Sequence, residues 1–305
     1  MAADAQQHIA RRRSPAPRAL KGVFGVLRVL LYIAICVIFL VPFAWMLFGG
    51  LRAEREIFRY LTPFSWRTFV PIEWTLDSYK TIPGLNETGK AAGYNFGRNL
   101  VNSLIVSTAV VVSSLFFNTM GAYFFARLPF PKKNWLMIYV LATFLIPFEV
   151  TIVPLYIVVR TLHIDNTMWA LIVPWYASPF VIFSLMQFMR WTIPYDLDEA
   201  ALMDGAGYWT ILWRVIVPLS IPGLVTNALL EFQFIWNLFY WPLVAVGDRN
   251  IQVLQVVISS TLGQTQQYWG RTFAGATLAT LPVVVIFLLL QRYYIQGVAS
   301  TGVKG

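Results

Sequence analysis

The stretch Glu199 to Pro218, EAALMDGAGYWTILWRVIVP, is a polar helical element lodged between two strongly apolar runs. Asp196, just ahead of it, is placed to N-cap a helix from Leu197, with Glu199 at the third helical position to close a capping box. Gly205 ends that helix, because glycine takes the left-handed conformation that a helix C-cap needs. A second helical run then carries Trp209, Leu212, Trp213 and Ile216 on one side. Pro218 marks the start of the next segment. The pattern predicts a compact helix-turn-helix on a short loop, the form of an element that docks a partner.

The runs on either side define what kind of chain carries this loop. Of the 305 residues, 58% are hydrophobic and only 12% are charged. Several apolar runs reach the ~20 residues that a ~30 Å hydrocarbon layer requires. Six spans are expected, at roughly 23–48, 100–126, 135–159, 168–190, 219–246 and 271–292. The fold class is therefore all-α integral membrane protein with six transmembrane helices. Arg11, Arg12, Arg13, Arg18 and Lys21 precede the first span as they would a signal peptide, but its apolar run is too long and no small-x-small cleavage site follows. It reads as a retained anchor.

Orientation follows from basic residues in short loops. Arg127, Lys132 and Lys133 sit in the second loop without a nearby acid, whereas Arg160 in the third is matched by Asp165. Both termini and the loop at 191–218 are accordingly expected in the cytoplasm. The first loop, 49–98, is expected outside; its basic residues are offset by Glu54, Glu56, Glu73, Asp77 and Glu87. A cytoplasmic tail at 1–22, with 1–20 irregular, the core at 100–295 and a flexible tail at 296–305 complete the organisation.

The formal charge of +9 does not indicate nucleic acid, because the basic residues cluster beside spans and in the N-terminal tail, where anionic lipid attracts them. Cys36 is the only cysteine and lies within the first span, so no disulfide framework exists. With only His8 and His163 besides, no metal site is expected.

The loop resembles a known family. EAALMDGAGYWTILWRVIVP is similar to the EAA loop of the membrane-spanning permease subunits of bacterial ABC importers: E-A-A, three residues, Gly, nine residues, Ile, one residue, Leu-Pro. Val215 and Val217 stand for the Ile and Leu. The resemblance runs from about Leu100 to the C-terminus, through YFFARLPFPKKN, NTMWALIVP, Trp236-Asn237 and LPVVVIFLLLQRYYIQGVASTGVKG, and that ending is similar to carbohydrate importers of the maltose type. It implies the type I ABC importer permease fold and a partnership with a second homologous permease subunit, an ATPase homodimer and an extracytoplasmic sugar-binding protein. Glu199, Ala200, Ala201, Asp204 and Gly205 are the implied ATPase-coupling residues, and the C-terminal tail is an implied second ATPase contact.

Other motifs divide between chemistry and packing. Gly84 to Lys90 fits seven positions of a phosphate-binding loop, but Ala91 lacks the hydroxyl that would hold magnesium and no buried strand precedes it. The chain thus has no nucleotide site of its own, and ATP and Mg are expected on the partner ATPase. Glu149 and Glu231 are carboxylates inside spans, where an ionised acid costs about 2.5–3.5 kcal/mol on insertion scales. Each is a candidate for the substrate pathway; for Glu149, hydrogen bonding to backbone or a neighbouring helix is the alternative. Pro147 and Pro154 predict a kink around it.

Gln233 and Asn237 share one face of the fifth span, with Phe234 and Trp241 expected on much the same side. Amides with aromatic rings suit a sugar, although the same amides hold membrane helices together. Ala274, Gly275, Ala276 and Ala279 form a small-residue seam for close helix approach. Trp66, Trp74, Trp241 and Trp269 are expected interface anchors. No nucleophile–base pair appears in the spans, so an enzyme is not indicated. The competing functional class is a proton-coupled secondary transporter working through Glu149 or Glu231.

Overall fold

The structure, a computed structural model, describes residues 18–63, 65–91, 95–262 and 268–302. Among them every regular element is a helix. The first, α1 (Arg18–Gly50), begins inside the stretch expected to be an irregular tail; residues 1–17 of that tail lie outside the described residues. From Val26 to Leu40 its large side chains are exposed on all sides, as suits a helix whose surroundings are lipid or another subunit. Its end is different. A Cβ at Gly50 would come within 2.8 Å of the Tyr79 ring and 3.0 Å of the Ala274 Cα, so the glycine permits a backbone crossing that a larger residue would block.

The first loop is built rather than slack, with α2 (Asp77–Thr81) and α3 (Glu87–Ala91) following two 3-10 turns. Glu56 is buried and its carboxylate accepts from the backbone N–H groups of Ile72 and Glu73 at 2.7 and 2.8 Å. Arg52, also buried, donates to the carbonyls of Arg67 and Thr68. The stretch from Gly84 to Lys90 is a tight turn leading into α3: Gly84 has φ +75° and a Cβ at Gly89 would collide with the Thr81 carbonyl.

The long helix α4 (Phe96–Arg127) is central. Its buried Asn99, Asn102 and Ser103 bond the backbone of Asn250, Gln252 and Leu254, which satisfies an irregular segment at that end of the bundle. The third expected span is two helices, α5 (Lys133–Phe144) and α6 (Phe148–Thr161), bent by 97°. The break falls at Pro147, which has no N–H to continue the ladder; Pro154 sits inside α6. The fourth is α7 (Met168–Ile172) with a 3-10 turn to Trp175, then α8 (Pro179–Thr192), bent by 42°. At that break Asn118 of α4 accepts from the Ser178 N–H at 2.9 Å.

The loop after α8 carries α9 (Asp196–Met203), α10 (Tyr208–Ile211), a π turn (Leu212–Ile216) and α11 (Val217–Leu219), then turns by 78° into α12 (Ile221–Asn237). The fifth span was expected to run to 246 but its helix stops at Asn237. Pro242 cannot donate to the Leu238 carbonyl, so the chain restarts as α13 (Tyr240–Ala245). After α14 (Leu254–Leu262) the last helix, α15 (Trp269–Gly302), continues through much of the expected flexible tail. Residues 303–305 lie outside the described residues. Ala274 and Ala279 of the small-residue seam are buried against α1 and α12, as expected for a packing surface. Among the described residues three helices are long and apolar enough to cross a membrane, or up to six if each bent pair is one span.

Candidate coupling surface and translocation face

The helix-turn-helix forms, with a different start. Asp196 is the first residue of α9 and Tyr195 is its N-cap, without a side-chain bond. The capping box between Asp196 and Glu199 is therefore not made. Tertiary contacts decide the register: the Tyr195 hydroxyl donates to the Ala126 carbonyl at 3.1 Å and its ring lies 4.1 Å from the Arg127 guanidinium. Asp196, Asp198 and Glu199 still occupy the first turn, where the helix dipole favours acids.

The other end is as expected. Gly205 has φ +79°, its N–H donates to the Leu202 carbonyl and that of Ala206 to the Ala201 carbonyl, both near 3 Å. This is the paired closure of a Schellman cap. Glu199, Ala200, Leu202, Met203, Asp204 and Gly205 are exposed, while Ala201 is half-buried and packs on the core. In the second helix the buried side chains are Ile211, Leu212 and Ile216; Trp209 is exposed. The π turn is responsible, because its wider register brings Ile211 and Ile216, five apart, to one side.

Arg127 ties this loop to the bundle. Its side chain is 3% exposed, lies 3.4 Å from Asp198, and donates to the carbonyls of Met189 and Ile193 at 3.0 and 2.6 Å. Met189 lies in the last turn of α8 and Ile193 is its C-cap, whose N–H also bonds the Met189 carbonyl, so the guanidinium satisfies carbonyls at a helix end where intrahelical donors run out. Arg190 of α8 donates in return to the Phe125 carbonyl. Burial pushes the Asp198 carboxyl above the usual range, against the opposing pull of Arg127. Neither residue stood out as a site in the sequence. The signal was an arginine at the end of a span facing an acid seventy residues on, which no local pattern connects.

The expected pathway residues separate into two environments. Glu231 is buried in α12, on the side that packs against α4. Gln233, Phe234 and Asn237 are exposed on another side of α12. The Asn237 amide donates to the Gln233 carbonyl of its own helix at 2.8 Å and accepts from Gln255 at 3.5 Å. Glu149 is exposed in the first turn of α6. Trp241 does not join this face, nor is it an interface anchor: it is fully buried, with its indole N–H on the Ala170 carbonyl. Trp175 takes the place expected of it. Its ring lies 5.3 Å from Phe234 and 5.1 Å from Phe148, bringing the start of α6 beside the Gln233 region of α12. Among the described residues no group of three His, Cys, Asp or Glu side chains is placed to hold a metal.

Comparison with known proteins agrees with this architecture. Residues 118–300 match the family of binding-protein-dependent transport system inner membrane components. The chain is similar to the trehalose transport system permease protein SugB of Mycobacterium tuberculosis, 34% identical with 77% of this chain and 84% of that protein covered. It is 28% identical to the arabinooligosaccharides transport system permease protein AraQ of Bacillus subtilis, over 93% and 97% of the two chains. A solved bacterial ABC transporter involved in alginate import has the same fold, with a TM-score of 0.72 at 20% identity, covering 92% of this chain and 100% of that one. The chain belongs to the binding-protein-dependent transport system inner membrane component family. It is a membrane-embedded permease subunit of an ATP-driven importer, a transport component that works with an ATPase and a substrate-binding protein and not an enzyme. The proton-coupled alternative is set aside by this membership.

Proposed function

We propose that this subunit forms half of a transmembrane pathway for a sugar or sugar derivative, together with a second homologous permease subunit. Two ATPase subunits that bind ATP and Mg dock on its α9 loop, and an extracytoplasmic sugar-binding protein delivers the substrate. The membrane is the bacterial cytoplasmic (inner) membrane, with both termini and the α9 loop in the cytoplasm. The observation that carries the reading is the exposed acidic helix closed by Gly205 and seated on a bundle of membrane helices. Glu199, Ala200, Asp204 and Gly205 present its outer surface; Ala201 sets its distance from the core.

The sugar assignment is supported by the sugars for which the relatives are named, trehalose and arabinooligosaccharides, and diacetylchitobiose for the 30% identical NgcG of Streptomyces coelicolor. Gln233 and Asn237, with Phe234 and Trp175 beside them, suit such ligands, because amides bond hydroxyls while rings cover the apolar sugar face. Glu149, at the start of α6 beside that region, and Glu231, buried on a different side of α12, are the further pathway candidates. The test is uptake of labelled trehalose, diacetylchitobiose and arabinooligosaccharides by cells with and without this subunit, alongside copurification on a tag placed on it. An ATPase in the purified complex and loss of uptake of one of these sugars are expected. A subunit that purifies without an ATPase, or uptake that collapses with an uncoupler while ATP persists, would overturn the reading.

A further inference from the structure

Arg127 and Asp198 stand out among the polar groups that the proposed function leaves unused. Both side chains are nearly fully buried, 3% and 13% exposed, and they come from segments seventy residues apart. Their pairing is incomplete: Nε and one terminal nitrogen of Arg127, and both carboxylate oxygens of Asp198, have no hydrogen-bond partner. The second terminal nitrogen is committed to the end of α8. A buried pair this poorly bonded is a weak source of stability, since apolar residues of similar volume generally serve as well or better. What it does supply is register. Carried on the last residue of α4, one guanidinium reaches the carbonyls of Met189 and Ile193 at the end of α8, the Tyr195 ring and the second residue beyond the start of α9.

The surrounding core has the same membership. Ala122, Tyr123, Phe125 and Ala126 of α4 pack with Val181, Leu185, Met186 and Met189 of α8, and with Ile211, Leu212 and Ile216 of the loop. We propose that Arg127 and Asp198 form a buried ionic joint that fixes α9 to the ends of α4 and α8, so that a displacement of α9 carries those two helices as one body. Arg127 is a positioning residue here. The inference rests on the reading of the α9 loop as the ATPase contact and adds the route by which motion enters the bundle.

The test uses the assembled importer in nanodiscs, on a Cys36→Ala background. Spin labels are placed at Met203→Cys, the exposed tip of α9, and at Val112→Cys, exposed midway along α4. With the native pair the distance between labels is expected to stay the same with and without ATP and vanadate. Arg127→Met and Asp198→Leu each leave one buried charge unpaired and are expected to impair assembly, so the double variant, which leaves none, is the informative one. In it, nucleotide is expected to shift or broaden the distance by a few ångströms, because α9 moves without α4. A nucleotide-dependent distance in the native complex would overturn the joint, as would an unchanging one in the double variant. Failure of the coupling reading shows differently: the Met203→Cys label would then have the same mobility with and without the ATPase subunits.

Discussion

At Gly205 the positive φ is the whole requirement. A Cβ added there has nothing within 4 Å, so a substitution meets no clash and costs only its conformation, about 1–2 kcal/mol for an ordinary L-residue. Gly205→Val is expected to leave the subunit inserted but to abolish transport, since the cap would open and the docking surface with it. Gly205→Asn, which tolerates the left-handed region, should retain most of the activity. Normal sugar uptake by a well-expressed Gly205→Val complex would contradict the role of this loop. On the proposed translocation face, Gln233→Ala and Asn237→Ala should raise the sugar concentration for half-maximal uptake by up to about tenfold, the equivalent of one hydrogen bond at about 0.5–1.5 kcal/mol. Unchanged transport in both variants would place them in helix packing.

The last membrane helix shows how an element end is secured from far away in sequence. Glu54 accepts from the backbone N–H groups of Trp269 and Gly270 at 2.5 and 3.0 Å, supplying both an N-terminal cap and a negative charge at the positive end of the α15 dipole. Phe58 packs edge-on against the Trp269 ring. Glu54→Ala is expected to lower stability by about 1 kcal/mol and to loosen the first loop from α15. Faster proteolytic nicking between Arg52 and Pro63 in the solubilised complex, compared with the parent, is the measurement. An unchanged cleavage rate would show that the loop is held by the Arg52 and Glu56 contacts alone.

At the scale of the molecule, the built first loop and the α9 loop sit on separate sections of the chain whose sidedness the basic residues predict. A membrane-impermeant thiol reagent applied to intact cells should label a cysteine at Glu87 and miss one at Asp204, on the Cys36→Ala background. The reverse pattern would invert the orientation and remove the α9 loop from any cytoplasmic ATPase. Helix α1, with its apolar side chains exposed from Val26 to Leu40, presents that surface to lipid or to another subunit.

The membrane class, the position of the six apolar runs, the two-helix loop and its closure at Gly205 were all legible in the sequence, because each rests on local composition or on a single backbone requirement. Hydrophobic length does not report on path. The 97° break at Pro147, the end of α12 before Pro242 and the π turn at Leu212–Ile216 depend on which backbone groups find partners elsewhere in the fold. The same holds for side chains. Trp241 had the period of the Gln233 face, but the interruption of α12 turned it into the core beneath Ala170. Asp196 had the chemistry of a cap, but Tyr195 and Asp198 were drawn to Arg127 and moved the start of α9. Local pattern determined which elements exist; contacts between residues tens of positions apart decided where they bend and which faces they share.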